Sequence, residues 1–448
     1  MWGSGKQGTI FDGMSENIPV IVHGMKKVRN YQNMNHIVKR IGILTGVFAA
    51  ALCVFFLANN RWNSGQDQAV YMDMEAASLP SITVQMLGRD MNRLYGYRQE
   101  MNTTAAGENL TILPEDRALT VDITGGGVTG ISYEVRSMDR ERLVERTEVS
   151  DWQQTQQGIA ATLPIQNLLT KEREYQLIIQ LDTENYGSVY YYTRILWTDS
   201  AQHARDMVDL AADFSIKTFD YEQAKSLTTY LETSPSEDNS TFGHTSIHSS
   251  FSQLTWGKMN MQPEGNVEIH LKELDGVMCG VQLSYQAKRQ GDGAEETYEV
   301  EEDFTLKWNE LRIYMMQYDR TVNQIFAGDR SEYSGKRILL GITQDDRVEL
   351  VKSAGGKTLA YRVNRDLWSF EPEDRRAVRI FSFRDDDSTD VRSNYDHHDV
   401  RILSVEDDGD VDFLVYGYMN RGNHEGENGI AGYHYTAAGN ALEERYFI

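Results

Sequence analysis

The spacing of apolar positions changes along the chain, and each spacing predicts a different element. Residues 41–58 (IGILTGVFAAALCVFFLA) contain no charge, Pro, Asn or Gln. A helix of that length rises about 27 Å, enough to cross a bilayer core. Its ten Leu, Ile, Val and Phe residues favour insertion by roughly 3–6 kcal/mol together. The run therefore predicts a transmembrane helix. A cleaved signal peptide has a short lead and a small-residue cleavage site, whereas forty residues precede this run and it closes on Phe56-Leu57-Ala58. A buried core helix is the other alternative.

Residues 59–111 are polar and Met-rich at their start and predict a juxtamembrane stalk and lead-in segment. From residue 112 the period falls to two. Short apolar stretches at 118–124, 130–137, 142–149, 158–164, 174–181 and 189–197, divided by turn residues, predict a β-sandwich over residues 112–198. Asn185-Tyr186-Gly187 suits a hairpin turn, and Tyr190-Tyr191-Tyr192 suits a strand with one packed face. Between 199 and 250 the period lengthens towards 3.6. Met207, Leu210, Ala211 and Phe214 share one helical face, then Ala224, Leu227 and Leu231 share another. Asp220, three residues ahead of Gln223, predicts an N-terminal cap on the second helix. A helical pair followed by a Ser/Thr-rich linker predicts a hinge or spacer.

Alternation returns at Val267, Ile269 and Leu271, then at Val277, Cys279, Val281, Leu283 and Tyr285, so a second β-rich domain is expected over 251–328. In residues 329–448, four strand-like runs near Arg337, Arg347, Thr358 and Val378 precede four more near Val400, Val411, Gly429 and Leu442. Four-stranded units in series resemble β-propeller blades. Two blades close no ring, and the strand-like tail through Ile448 leads us to expect the front part of a longer protein. The predicted class is mainly β.

Charge orients the chain. Residues 1–40 hold six Lys or Arg against Asp12 and Glu16, net +4, and subtracting this from −23 leaves −27 on the rest. A basic lead stays cytoplasmic, so the acidic bulk is expected outside, with Trp62 as an interfacial anchor. Excess negative charge repels phosphate backbones, which argues against nucleic acid as a partner. Cys53 lies in the apolar run and Cys279 is the other cysteine, so the outer part forms no internal disulfide and must rest on buried apolar area. That pattern points to a bacterial envelope. The formal glycosylation triplets at Asn102, Asn109 and Asn239 occur at close to chance frequency.

Several motifs mimic chemistry. Gly125, Gly127 and Gly130 match a dinucleotide fingerprint, but Ile131-Ser132-Tyr133-Glu134-Val135 reads as a strand where a helix is required. Gly355-Gly356-Lys357-Thr358 resembles a phosphate loop, yet Val351 stands where its first Gly belongs. Asp396-His397-His398-Asp399 and His424-Glu425 offer metal-ligating groups, although adjacent His residues on a strand point to opposite faces. Asp407-Asp408-Gly409-Asp410-Val411-Asp412 lacks the closing Glu of a calcium loop. Loop oxygens in the acidic stretch 384–412 are the place a Ca²⁺ ion would occupy. Cys279, on an apolar face, reads as a buried structural thiol. Gly243-His244-Thr245-Ser246-Ile247-His248 reads as linker composition. No nucleophile elbow or zinc-protease helix is present, and no catalytic, cofactor or metal residue is assigned.

Arg93-Leu94-Tyr95-Gly96-Tyr97 with Glu100-Met101, the stretch Leu113-Pro114-Glu115-Asp116-Arg117, and Val415-Tyr416-Gly417-Tyr418-Met419-Asn420-Arg421-Gly422 with His424-Glu425-Gly426 resemble a group of uncharacterised single-pass envelope proteins of clostridia-type bacteria. The resemblance spans residues 40–448, implies a chain that continues further, and carries no activity. Together these observations predict a membrane-anchored extracytoplasmic binding or scaffolding protein. Its expected partners are the lipid bilayer, through residues 41–58, and an envelope protein or glycan. The alternative is an anchored surface hydrolase acting on envelope glycan or peptide.

Overall fold

The computed structural model describes residues 46, 70–71, 74–101, 107–166, 169–291, 295–329, 332–334, 337–344, 348–373, 375–384, 395 and 397–448. The chain divides into two units, Met1–Asp67 and Gln68–Ile448. Of the expected membrane span, only Gly46 is among the described residues, and it is helical. No helix among the described residues is long and apolar enough to cross a membrane. The Gln68–Ile448 unit is mainly β.

After β1 (Val70–Tyr71), the chain forms β2 (Ser81–Met86), β3 (Arg89–Leu94), β4 (Leu110–Ile112), β5 (Ala118–Thr124), β6 (Val128–Arg136), β7 (Leu143–Glu148), β8 (Trp152–Gln154), β9 (Gly158–Pro164), β10 (Glu174–Thr183) and β11 (Gly187–Leu196). Two sheets result, in the orders β3-β2-β5-β9-β8 and β4-β11-β10-β6-β7. Alternate residues of both, among them Val84, Val121, Leu163, Val135, Leu177 and Tyr191, are fully buried in one core. Each such side chain stabilises the fold by about 1.5–3 kcal/mol. The juxtamembrane segment expected over 59–111 is corrected here. Its residues from Ser81 onward supply three strands, and β2 lies between β3 and β5. SITVQM alternates as strictly as the later strands do.

The helix α1 (Ala201–Lys217) buries Ala204, Met207, Val208, Ala211 and Phe214. Phe214 meets Phe304 and Tyr318 edge-on or tilted, at 5.7 and 4.9 Å between ring centres. Asp220 caps α2 (Tyr221–Ala224), accepting from the backbone N–H of Glu222 and of Gln223 while Gln223 Nε2 returns a bond at 2.8 Å. A 3₁₀ turn over Lys225–Thr229 completes the second helical segment. This helical region was expected to separate two β domains as a spacer. Instead one hydrophobic core runs from Leu79 to Tyr318 across it, because α1 is apolar enough to fill the space between the sheets.

Within the expected linker, β12 (His244–Ser246) joins a sheet edge, and α3 (Phe251–Leu254) leads into the long meander β13 (Gln262–Asp275), β14 (Met278–Gln290), β15 (Glu295–Lys307) and β16 (Tyr314–Gln324), in the order β12-β16-β15-β14-β13. Glu302 and Arg320 face each other across β15 and β16, both fully buried. Arg320 lies 3.6 Å from the Trp256 ring centre and donates to the carbonyls of Leu254 and Gln253. Burial raises the Glu302 pKa, and its Oε1 accepts the Tyr318 hydroxyl at 2.7 Å.

The ribbon β17 (Tyr333–Ser334) and β18 (Arg337–Ile338) precedes two antiparallel meanders. The first is β19 (Leu350–Lys352), β20 (Leu359–Val363), β21 (Asp366–Glu371) and β22 (Arg376–Phe381), with β1 added in parallel beside β22. The second is β23 (His398–Val405), β24 (Val411–Tyr418), β25 (Asn428–Thr436) and β26 (Ala441–Phe447). The second expected set of four falls on its strands. In the first set, the run near Arg337 belongs to the separate ribbon, and Arg347 lies outside the described residues. Phe381, Val400, Phe413 and Ala431 share a core between the meanders.

The β24–β25 loop grips the start of the unit. The buried Glu425 carboxylate accepts from Ser78 N–H at 2.8 and 2.9 Å, from Ser78 Oγ at 2.7 Å and from Leu79 N–H at 2.9 Å. Arg421 donates to the Met74 carbonyl and the Tyr418 hydroxyl to the Gly96 carbonyl. Replacing Glu425 with Ala strands these donors and is expected to cost about 2–4 kcal/mol. Urea unfolding measures that loss, and amide exchange at Leu79 accelerates with it.

Candidate functional site

A cleft of about 800 Å³ opens on the outer face of the β3-β2-β5-β9-β8 sheet and reaches β13. Two ladder defects and one turn shape it. Between Ile82 and Val84 of β2 the partner on β3 jumps from Leu94 to Met91, a bulge that extends β3 by one residue. Asn92 makes that bulge with φ +49°, in the left-handed region that Asn tolerates better than most residues. On β13, pairing with β14 skips from Glu264 to Glu268, so Asn266 and Val267 reach the cleft. Gly158 closes the far side in the β8–β9 turn. Its φ is +150° and a Cβ there would collide with the Ile123 carbonyl, so the backbone of β9 can approach β5 only without a side chain.

Asn92 is fully buried and joins three strands. Its Nδ2 donates to the Leu110 carbonyl at 2.8 Å and to Thr111 Oγ1 at 3.3 Å, and its Oδ1 accepts Leu271 N–H at 2.9 Å. The bulge turns the next residue, Arg93, towards the cleft. Arg93 Nε holds Glu268 Oε1 at 2.6 Å, and its Nη1 donates to Ser81 Oγ at 3.3 Å. His270 Nε2 stands 3.7 Å from the other Glu268 oxygen, and His270 Nδ1 is 3.3 Å from Asn109 Nδ2. Burial opposes ionisation of Glu268, but His270 and Arg93 outweigh it and hold the pKa below the usual carboxyl range. Glu268 is therefore an anchored carboxylate, unsuited to donate a proton near neutral pH.

The outer face of the sheet supplies the rest. Gln85 is opposite Asp90 on β3, and Thr83 is opposite Asp122 on β5, so these four side chains share one face. Gln85 Nε2 donates to Asp122. Gln156, Gln157, Thr155 and Asn266 add amides and a hydroxyl around the rim. The arrangement can donate and accept many hydrogen bonds, while its carboxylates attract positive charge. None of these residues stood out in the sequence. Gly265 inside a strand pattern was the one available signal, since such a glycine marks a bulge.

The motifs weighed in the sequence fall elsewhere. Gly125 and Gly127 form the turn between β5 and β6, with a strand following, and Gly355 and Gly356 form the turn between β19 and β20. Cys279 is fully buried and its thiol is pushed up to about 12 by burial. His244 pairs with Asp319 at 3.1 Å, while His248 Nδ1 contacts the Glu232 carbonyl at 2.9 Å. His424 stacks on Phe447 and meets Glu444 at 2.9 Å. Asp407 accepts from Gly355 N–H and Asp410 from Ala437 N–H, while Asp410 and Asp412 both meet His434, at 3.7 and 2.8 Å. Asp396 and residues 385–394 lie outside the described residues. Among the described residues no group of three His, Cys, Asp or Glu is placed to hold a metal ion.

His397 and His398 do point to opposite sides. His397 is exposed, with Nδ1 3.7 Å from Glu108. His398 packs against Phe383 at 4.6 Å between ring centres, and neither ring nitrogen has a hydrogen-bond partner.

No protein family matches the chain, and no curated protein matches it. Among solved structures, the chain is similar to one from Agrobacterium tumefaciens described as TolB, with 8% identity and a TM-score of 0.15 over 72% of this chain and 90% of that one. A likeness at that level bears on neither fold nor site.

Two measurements follow from this geometry. Asn92→Ala removes three hydrogen bonds and leaves a β-carbon residue at positive φ, with an expected cost of about 2–4 kcal/mol in urea unfolding; Asn92→Gly relieves the backbone but recovers only part. For His398, burial, then the charges of Arg365, Arg384 and His397, lower the pKa from 6.5 to about 3. The unfolded chain thus takes up a proton that the folded chain refuses, so stability falls as pH drops from about 6.5 towards 3, by about 1.4 kcal/mol per unit. Unfolding midpoints at a series of pH values should show this slope, and His398→Phe should flatten it.

Proposed function

We propose that this chain is a bacterial envelope protein held in the cytoplasmic membrane by residues 41–58, with its lead inside and its Gln68–Ile448 unit outside, acting by binding or scaffolding. In this reading the two facing sheets of residues 81–196 are a β-sandwich, and the two terminal meanders are propeller-like blades. One observation supports binding above all: apart from Thr155, Gln156 and Gln157 in the β8–β9 turn, the cleft is lined by side chains whose backbones are fixed in sheet ladders and bulges. A ligand there meets groups that lose little freedom on contact. Envelope glycan, dense in hydroxyls and amides, matches the amides, hydroxyls and carboxylates of the lining.

A second reading, an anchored hydrolase acting on envelope glycan or peptide, draws on Asp90, Asp122 and Glu268 lining one cleft. Glycoside hydrolysis needs a protonated carboxyl as general acid, and Glu268 is held ionised by Arg93 and His270. That favours binding.

The test is co-sedimentation of the full chain, purified in detergent micelles, with insoluble cell-wall sacculi. The chain is expected in the pellet, and Gln85→Trp, which fills the cleft from an exposed position, is expected to remain in the supernatant. Equal sedimentation of both proteins would overturn the cleft as the binding site. Release of soluble wall fragments by the wild-type chain would favour the hydrolase.

A further inference from the structure

We propose that the cleft selects glycan bearing free amines, meaning hexosamine units without their acetyl groups, over neutral or anionic glycan. This rests on the reading of the cleft as a glycan-binding site and adds a ligand class to it.

The lining contains three carboxylates, Asp90, Asp122 and Glu268, and one cation, Arg93. Arg93 and Glu268 neutralise each other through a 2.6 Å contact. Asp90 and Asp122 are left, and among the described residues no cation stands within ion-pair distance of either. They stand on the strands either side of β2, Asp90 opposite Gln85 and Asp122 opposite Thr83. Two strand spacings and a two-residue offset put their backbones roughly 12 Å apart, so two non-adjacent units of one glycan chain can each meet a carboxylate. An anionic chain would have to bring its charge against both.

The rest of the lining decides between glycan and peptide. No aromatic side chain is among the lining residues, and of the apolar ones Met91, Ile123, Ile159 and Ile269 are almost wholly buried while Val267 is exposed. An apolar peptide side chain meets only Val267. The central strands β2, β5 and β9 present a face whose backbone groups are paired in the ladder, whereas β3 and β13 are edge strands of their sheets, so strand addition by an extended peptide is confined to those two edges. Hydroxyls fit better, since Gln, Asn and Thr side chains both donate and accept. Without a stacking ring, charge-assisted hydrogen bonds from amines to Asp90 and Asp122 become the main source of discrimination.

The experiment is calorimetry on the full chain in detergent micelles with three tetrasaccharides and one peptide: a glucosamine tetramer, an N-acetylglucosamine tetramer, tetragalacturonate and tetralysine, at mildly acidic pH where the sugar amines are charged. The glucosamine tetramer is expected to bind at least about tenfold more tightly than the acetylated one, with an advantage that shrinks at about 0.5 M salt. The Asp90→Asn/Asp122→Asn variant, its fold checked by thermal unfolding, is expected to lose the preference. Equal affinities for the amine and acetylated tetramers, with sacculi binding intact, would overturn the amine selection and leave the glycan reading standing. Tightest binding of tetragalacturonate, retention of the preference by the double variant, or tetralysine binding as well as the amine sugar would each overturn the proposal.

Discussion

Asn92 carries its backbone into the left-handed region so that one buried amide can serve β3, β4 and β13 together. The rest of the site depends on that junction. It sets the bulge that aims Arg93 at Glu268, and it ties the paired sheets of residues 81–196 to the β13–β16 meander across 179 residues of sequence. A buried side-chain amide with both ends satisfied fixes strands in one register, because any slip leaves donors and acceptors unpaired in a region without water.

Around that junction the apolar core is continuous. Phe214, Phe304 and Tyr318 meet where α1 lies on the long meander, and the same core extends to Leu79 at the start of β2. Within this core Glu302 and Arg320 are buried opposite each other, with Arg320 braced by Trp256 and backbone carbonyls. The Arg320 charge acts on Glu302 across the ladder, so removing Glu302 leaves that charge buried without its opposing carboxyl group. The cleft inherits its rigidity from these layers.

The alternation of apolar residues made six of the seven strands over 118–196 legible almost to their ends, missing the short β8 (Trp152–Gln154), and it made the last four strands legible too. Those segments obey one local rule for six residues or more, bounded by Gly, Asn and Asp turns. Asp220 and Gln223 likewise announced their cap. What sequence could not give was partnership. Ser81–Met86 alternates as cleanly as β5, yet its place between β3 and β5 follows from pairing that no local pattern encodes. The hinge expected over 199–250 failed for a similar reason: an amphipathic helix says that a face is buried, not that two sheets share it. The cleft was invisible because Gln85, Asp122, Gly158 and Asn266 come from separate elements, and their positions depend on bulges at Asn92 and near Gly265.

The measurement that reaches the central claim most directly is native-state amide hydrogen exchange at Leu271, whose N–H is held by the Asn92 side chain. If the junction is part of one core, Leu271 exchanges only through global unfolding, with the same opening free energy as Leu177 on β10 and Phe304 on β15. Exchange at Leu271 through a far cheaper local opening, while those two strands remain protected, would show that the sheets are held together elsewhere.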